Sequence, residues 1–464
     1  MPHVNLPGSV SLYYEMHTPT CKPDPTKPSL LLLAPSWGNV LQLKDYVAAF
    51  KDEYSVCTIE PRSHGRSINP VTATFDFFVA ASDIAFAMEA LQLPPSHIFG
   101  AGTQNFQALL KLAILFPSQV LSLSLVGLSS LYALPRHIQA FQEVGNAWHS
   151  PEDEAIWAEC VEAIGQFVLT EVEGREEAWD RFLPSVVRLY NPYKARNVWM
   201  STQPNQRVSK ITPELLGEIE HPLLLIQVRT HLAPHKLRAP DRHDRTQGEA
   251  DKCFPAEDVA AMAKHLTRSR DLRFHIEAGG PHLLALTHAR SVIPRMRDFL
   301  AAHAAELPPV APLDARRALE RAARIASDPK IALRNPGKPD SFSLLSADEL
   351  ATGQVKLDAA LRQEQQCRLH LPMCFEKQDW EADADAQRRW TWSTRAEYAR
   401  RHEAARPVSV ASYGSGIAVN VHQSETTSMP SSPMTGTCAS FQAATLDGGD
   451  DDDVPPPLPS KIRV

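Results

Sequence analysis

The sequence has no C-x-x-C pair. Its seven cysteines, at 21, 57, 160, 253, 367, 374 and 438, are odd in number and scattered. That spacing excludes a disulfide framework and a cysteine-based zinc site, and it fits a reducing, cytoplasmic compartment. A basic excess is also missing, since 47 Lys and Arg stand against 54 Asp and Glu. A general nucleic-acid binder shows the opposite balance, so nucleic acid is not an expected partner. No apolar run approaches the roughly 20 residues of a membrane-spanning helix. The stretch ALLKLAIL at 108–115 is too short, and Lys111 interrupts it. The opening MPHVNLPGSV lacks the basic start and apolar core of a secretory signal, so none is expected.

What is present changes in character along the chain. Up to about residue 305, apolar strand-like runs alternate with amphipathic helical ones. LPPVAP at 307–312 marks a boundary. Residues 306–405 form a partly helical extension, with one helix expected at 314–327. The aromatic-rich QRRWTWSTRAEYARRHEAA suits a short docking helix. Residues 406–464 are rich in Ser, Thr, Pro and Asp and end near DGGDDDDVPPPLPSK. Such a composition buries too little apolar surface to offset the entropy of ordering, so a disordered tail is expected. Its PPPLP segment is a candidate polyproline ligand for a protein partner.

The strand candidates in residues 1–305 are LLLL at 30–33, YSVCTI at 54–59, HIF at 97–99, VLSLSLV at 120–126, LLLIQV at 223–228 and LRFHI at 272–276. Continuous apolar runs of this length suit strands buried on both faces of a parallel sheet. Helical patterns at 76–91, 106–116, 255–266 and 286–303 separate them, and SVSLYYEMH suits an antiparallel edge hairpin. The expectation is a mostly parallel, doubly wound α/β sheet. Residues 134–216 interrupt the rhythm with helical patterns and four tryptophans, as an inserted cap would. Ligands of open α/β sheets bind at the carboxyl ends of the strands, so such a cap would wall a pocket.

Five segments, in order, resemble the α/β-hydrolase superfamily. LLLLAPSWGN is similar to its oxyanion strand and loop, and IEPRSHGRS to its D-x-R-G-x-G-x-S turn. SHIFGAGTQNFQALLKLAILFPSQVLSLSLVG resembles the nucleophile elbow, its helix and the next strand. HPLLLIQVRTHLAP resembles the strand before the catalytic acid, and IEAGGPHLLALTHARSVIPRMRDFL the catalytic-histidine loop and last helix. The resemblance covers roughly residues 5–304 and implies that family's fold.

The family's elbow reads G-x-S-x-G, and no serine stands here. Two registers compete. Anchoring on the strand puts Gly100, Gly102 and Gln104 in the three places. Anchoring on the helix puts Ala101, Thr103 and Asn105 there, and this register is preferred because the helix then runs to Pro117 without a gap. Thr103 becomes the candidate nucleophile, with helix capping as its alternative role. His282, after Gly279-Gly280-Pro281, falls where the family places its general base. His231 occupies the place of the family's aspartate, which leaves Asp241 and Asp244 as substitute acids. By the same resemblance, the backbone amides of Ser36 and Gln104 are the oxyanion donors, and Trp37 and Asn105 line the pocket. No cofactor is expected. A metal at His231, His235 and His243 is disfavoured, since Pro234 breaks the helix that would align the first two. The resemblance implies a hydrolase of a small carboxylic ester, thioester or lactone. The alternative is a catalytically inactive scaffold that binds a small apolar ligand or a protein partner.

Overall fold

The computed structural model describes residues 2–370, except 130, most of 132–153, 170–175, 207–209, 230–253, 255 and 304–306. Eight strands follow one another as β1 (His3–Leu6), β2 (Val10–Met16), β3 (Ser29–Leu33), β4 (Ser55–Ile59), β5 (Ser96–Ala101), β6 (Val120–Val126), β7 (Leu223–Arg229) and β8 (Leu272–Ala278). They pair in one sheet in the order β1-β2-β4-β3-β5-β6-β7-β8. The first two pairings are antiparallel and the remaining five parallel.

The apolar runs are continuous because both faces of the sheet are covered. Leu31 and Leu33 of β3 join a core with α2 (Phe77–Ala90) and α3 (Gly102–Leu115). Leu30 and Leu32 point to the opposite core, with Tyr46 and Phe50 of α1 (Lys44–Phe50) and Phe299 and Leu300 of the helix Ala289–Ala302. The alternation is the two-residue period of a strand, read here with leucine on both faces. Asp76 starts α2 by accepting hydrogen bonds from the amides of Phe78 and Val79.

Between β6 and β7 the helices Glu154–Leu169, Glu176–Leu189, Ala195–Thr202 and Pro213–Leu216 form the cap. Trp148, Trp157 and Trp179 are buried together in its core, with Trp37 and Leu283 of the sheet domain against them. Trp199 packs instead with Phe75 and Val79.

Beyond the exposed run at 307–312 the chain returns to the sheet domain. Leu319 and Ala322 of the helix Ala315–Ala326 enter the same core as α2 and α3. Phe342 sits 6.2 Å from Phe86 and 5.4 Å from Phe116. Arg62, from the IEPRSHGRS turn, is buried and gives two hydrogen bonds to Asp83 of α2, at 2.8 and 2.6 Å, and one to Asp340, at 2.8 Å. The helix Ala347–His370 lies on the cap, where Glu364 receives Arg196 at 2.8 and 2.6 Å. Among the described residues no helix is long and apolar enough to cross a membrane. The docking helix and acidic tail expected from the sequence fall outside the described residues.

Candidate functional site

The site is built where β5 turns into α3. Ala101 ends the strand in extended conformation, with φ −118° and ψ 141°. Gly102 then takes φ +79°, and α3 begins. Residues with a Cβ rarely adopt that φ, so the abrupt reversal falls on a glycine. Gly100 is required for a second reason. A Cβ there would stand 2.6 Å from Leu109 Cδ1 and 2.9 Å from Asn105 Cβ, because the helix packs directly on the strand.

The strained turn therefore lies one residue earlier than the helix-anchored register places it. Gly102 is its central residue, while Thr103 and Asn105 are inside α3 and have no positive φ. The helix-anchored reading is corrected on this point. The reason is that an elbow is defined by where the backbone reverses, and the length of the helix beyond does not report that. Thr103 is not the helix cap either. The capping position is Ala101, which has no side-chain hydrogen bond to offer.

Thr103 nevertheless faces the expected base. Its Oγ1 lies 3.4 Å from Nε2 of His282. His282 is buried, and its ring stands 4.9 Å from that of Phe254. Two backbone features hold its loop. Gly127, at the end of β6, has φ +65°, and a Cβ there would collide with the carbonyl of His282. The amide of Leu283 donates to the carbonyl of Val168 at 2.9 Å, which ties the histidine loop to the cap.

Ser36 follows β3 on the loop that enters the site. It is only 7 % exposed, and its Oγ has no hydrogen-bond partner among the described residues. That oxygen lies 3.4 Å from where a Cβ on Gly102 would stand. Trp37, at φ +57°, donates from Nε1 to Ser201 Oγ at 3.3 Å, and its ring is 6.2 Å from Trp148. The side chain of Gln104 donates to the carbonyl of Ser201 and hydrogen-bonds His64. Burial pushes His64 down to about 4, and its Nδ1 donates to the carbonyl of Arg62 at 2.9 Å. This imidazole is neutral at physiological pH and serves the turn. Asn105 is buried under the elbow, where Nδ2 donates to the carbonyls of Ala34, at 2.9 Å, and Ala101, at 3.1 Å.

A pocket opens at this edge of the sheet, with about 320 Å³ of empty space, part of it open to solvent. Ser36, Trp37, Gly102, Thr103 and His282 line it from the sheet domain. Leu283 joins them from the histidine loop, and Phe167, Val168 and Asn205 close it from the cap. Four sequence candidates, Ser36, Trp37, Thr103 and His282, therefore converge, and Asn105 does not reach the lining. Gly102 was legible only in the strand-anchored register. The cap contributors carried no signal, because their place depends on how the inserted helices fold back. The first amides of α3, those of Thr103 and Gln104 included, have no carbonyl within the helix to accept them. They can stabilise a negative oxygen. Asp241 and Asp244, and His231, His235 and His243, lie outside the described residues. Among the described residues no three His, Cys, Asp or Glu side chains gather as metal ligands would.

Comparison with solved structures finds likeness in fold. An enol-lactonase from Burkholderia xenovorans LB400 superposes with a TM-score of 0.51 at 14% identity, covering 65% of this chain and 100% of that one. A thermophilic, malate-bound esterase from Thermogutta terrifontis gives 0.51 at 16%, covering 66% and 100%. A hydrolase from Pseudomonas aeruginosa PA01 gives 0.51 at 17%, covering 64% and 97%. No protein-family model matches the sequence, and neither does any curated protein sequence. At such identities the likeness speaks for architecture, and function rests on the site.

Proposed function

The chain has the α/β-hydrolase fold, and from that premise we propose that its pocket takes a small carboxylic ester, thioester or lactone, with Thr103 and His282 as the reactive pair. One observation carries this reading: a hydroxyl and an imidazole nitrogen stand 3.4 Å apart in a pocket at the carboxyl edge of the sheet. Apo catalytic contacts are often this long and shorten when substrate binds. His282 Nε2 would take the proton of the Thr103 hydroxyl as its oxygen attacks the acyl carbon. The carbonyl oxygen would collect negative charge at the start of α3, near the Ser36 loop. The same imidazole would then return the proton to the leaving alcohol or thiol. Water would repeat the sequence to release the acid. The solved neighbours described as an enol-lactonase and an esterase agree with this substrate class.

A second reading is favoured by Gly102. The central residue of the elbow carries no hydroxyl, and threonine is a secondary alcohol on a crowded turn. In this reading the fold binds its ligand without cleaving it. Turnover of p-nitrophenyl acetate and butyrate by the full chain, and its loss in Thr103→Ala and His282→Ala, separates the two. A clean wild-type protein that turns over nothing in a broad ester, thioester and lactone panel eliminates the first.

A further inference from the structure

One polar residue stands inside the apolar run of β7. Leu223 and Leu225 enter the core with α2 and α3, and the two-residue period of a strand puts Gln227 next on that face. Its side chain is fully buried. A buried amide costs free energy unless its oxygen and its N–H groups find partners, and here they do. Oε1 accepts from the amide of Leu128 at 2.8 Å, while Nε2 donates to the carbonyl of Leu128 at 3.2 Å and to that of Phe254 at 2.8 Å. These partners fix the orientation, because a flipped amide would set its oxygen against two carbonyls.

Both segments that Gln227 holds touch His282. Gly127 precedes Leu128 and lies so close to the histidine loop that a Cβ on it would collide with the carbonyl oxygen of His282. Phe254 meets the imidazole itself, with ring centroids 4.9 Å apart and planes at 42°. The same phenyl ring is 6.4 Å from that of Phe167, which lines the pocket from the cap. One amide on β7 thus ties together the end of β6 and the segment that carries Phe254, and His282 stands against both.

We propose that Gln227 is a positioning residue, which sets the ring of His282 through Phe254 and through the Gly127–Leu128 backbone. The inference rests on the reading of His282 as the base of the site. Gln227 is buried and acts through these neighbours. Its contribution is geometric, since an uncharged amide does not stabilise an imidazolium as a carboxylate does. A misplacement of about 1 Å costs a reaction about 10²-fold, so the effect of losing Gln227 falls on kcat.

The test uses the full chain and two readouts. Gln227→Met keeps the length of the side chain and removes its three hydrogen bonds. Gln227→Glu keeps the acceptor for Leu128 and loses the donation to Phe254, and it serves as the second variant if the first does not fold. NMR of the histidine rings, with the His282 resonance assigned by its loss in His282→Ala, follows the imidazole without any turnover. In either Gln227 variant that resonance should shift or broaden, while those of the other histidines stay in place. In p-nitrophenyl butyrate hydrolysis, kcat should fall about 10–100-fold with KM within about twofold. Phe254→Leu should lower kcat too, and adding it to Gln227→Met should cost little more, since both act through one ring. Phe254→Tyr keeps the ring and should keep most of the wild-type kcat. An unmoved His282 resonance in a folded Gln227 variant overturns the proposal, as does an unchanged kcat in an active protein. Absence of wild-type turnover would remove the proposed chemistry, and the resonance would still decide whether Gln227 places the ring, so the two failures are distinct.

Discussion

Restoring the side chain that the elbow lacks is the most informative perturbation. Gly102→Ser puts a primary hydroxyl at the central position of the strand-to-helix turn. The geometry admits the new atom: among the described residues outside its own turn, the nearest atoms to its Cβ would be Ser36 Oγ at 3.4 Å and Leu283 Cδ2 at 3.8 Å. The cost is conformational. A residue with a Cβ held at the φ of +79° that Gly102 adopts loses about 1–2 kcal/mol relative to glycine. A domain stable by about 5–15 kcal/mol survives that loss, with a lower melting temperature. The gain is a less hindered nucleophile beside His282, which already reaches the next residue. General-base assistance is worth about 10²–10⁴-fold, and a gain of about 10-fold over wild type is a modest demand. The assay is p-nitrophenyl butyrate hydrolysis, with Gly102→Ala carrying the same strain but no hydroxyl. The gain should vanish when His282→Ala is added. A folded Gly102→Ser protein no faster than Gly102→Ala would refute the argument that His282 serves a hydroxyl placed at the turn of the elbow.

Two further predictions concern the frame. Arg62→Met leaves Asp83 buried without its cation and should cost about 3–5 kcal/mol in urea unfolding, whereas Asp340→Asn should cost less, because Asp340 is 29% exposed against 3% for Asp83; equal losses would contradict the reading. Lys111, buried between Phe77 and Phe78, is pushed down to about 7 by desolvation. Its folded pKa lies below the unfolded value near 10.5, so the unfolded chain binds the extra proton between the two. Stability should therefore rise with pH from about 7 to 10.5 on this account. Lys111→Met should flatten that rise in melts taken across the window, and an unchanged slope would exclude the lysine as its source.

The strands were the most legible part of the chain because burial on both faces leaves an unmixed apolar run. VLSLSLV is β6 residue for residue, and LLLL lies within β3. Helix ends were legible where a side chain caps them, as Asp76 does for α2 and Asp314 for the helix Ala315–Ala326. The elbow was harder. Its apolar helix reads equally well from either register, and only the backbone reversal at Gly102 separates them. The role of Asn105 was hidden for a related reason, since an asparagine amide serves a pocket or a backbone carbonyl with the same chemistry. The Arg62–Asp340 pair spans 278 positions. No local periodicity announces such a pair, which is why the return of the extension to the core was not foreseen. The pocket walls from the cap were illegible on the same grounds.

The most direct measurement is the turnover of p-nitrophenyl butyrate by the purified full chain, with His282→Ala and Thr103→Ala alongside. The account predicts measurable wild-type hydrolysis that both substitutions abolish, with unchanged melting temperatures. Wild-type turnover that persists in His282→Ala, or none at all across the panel, contradicts it.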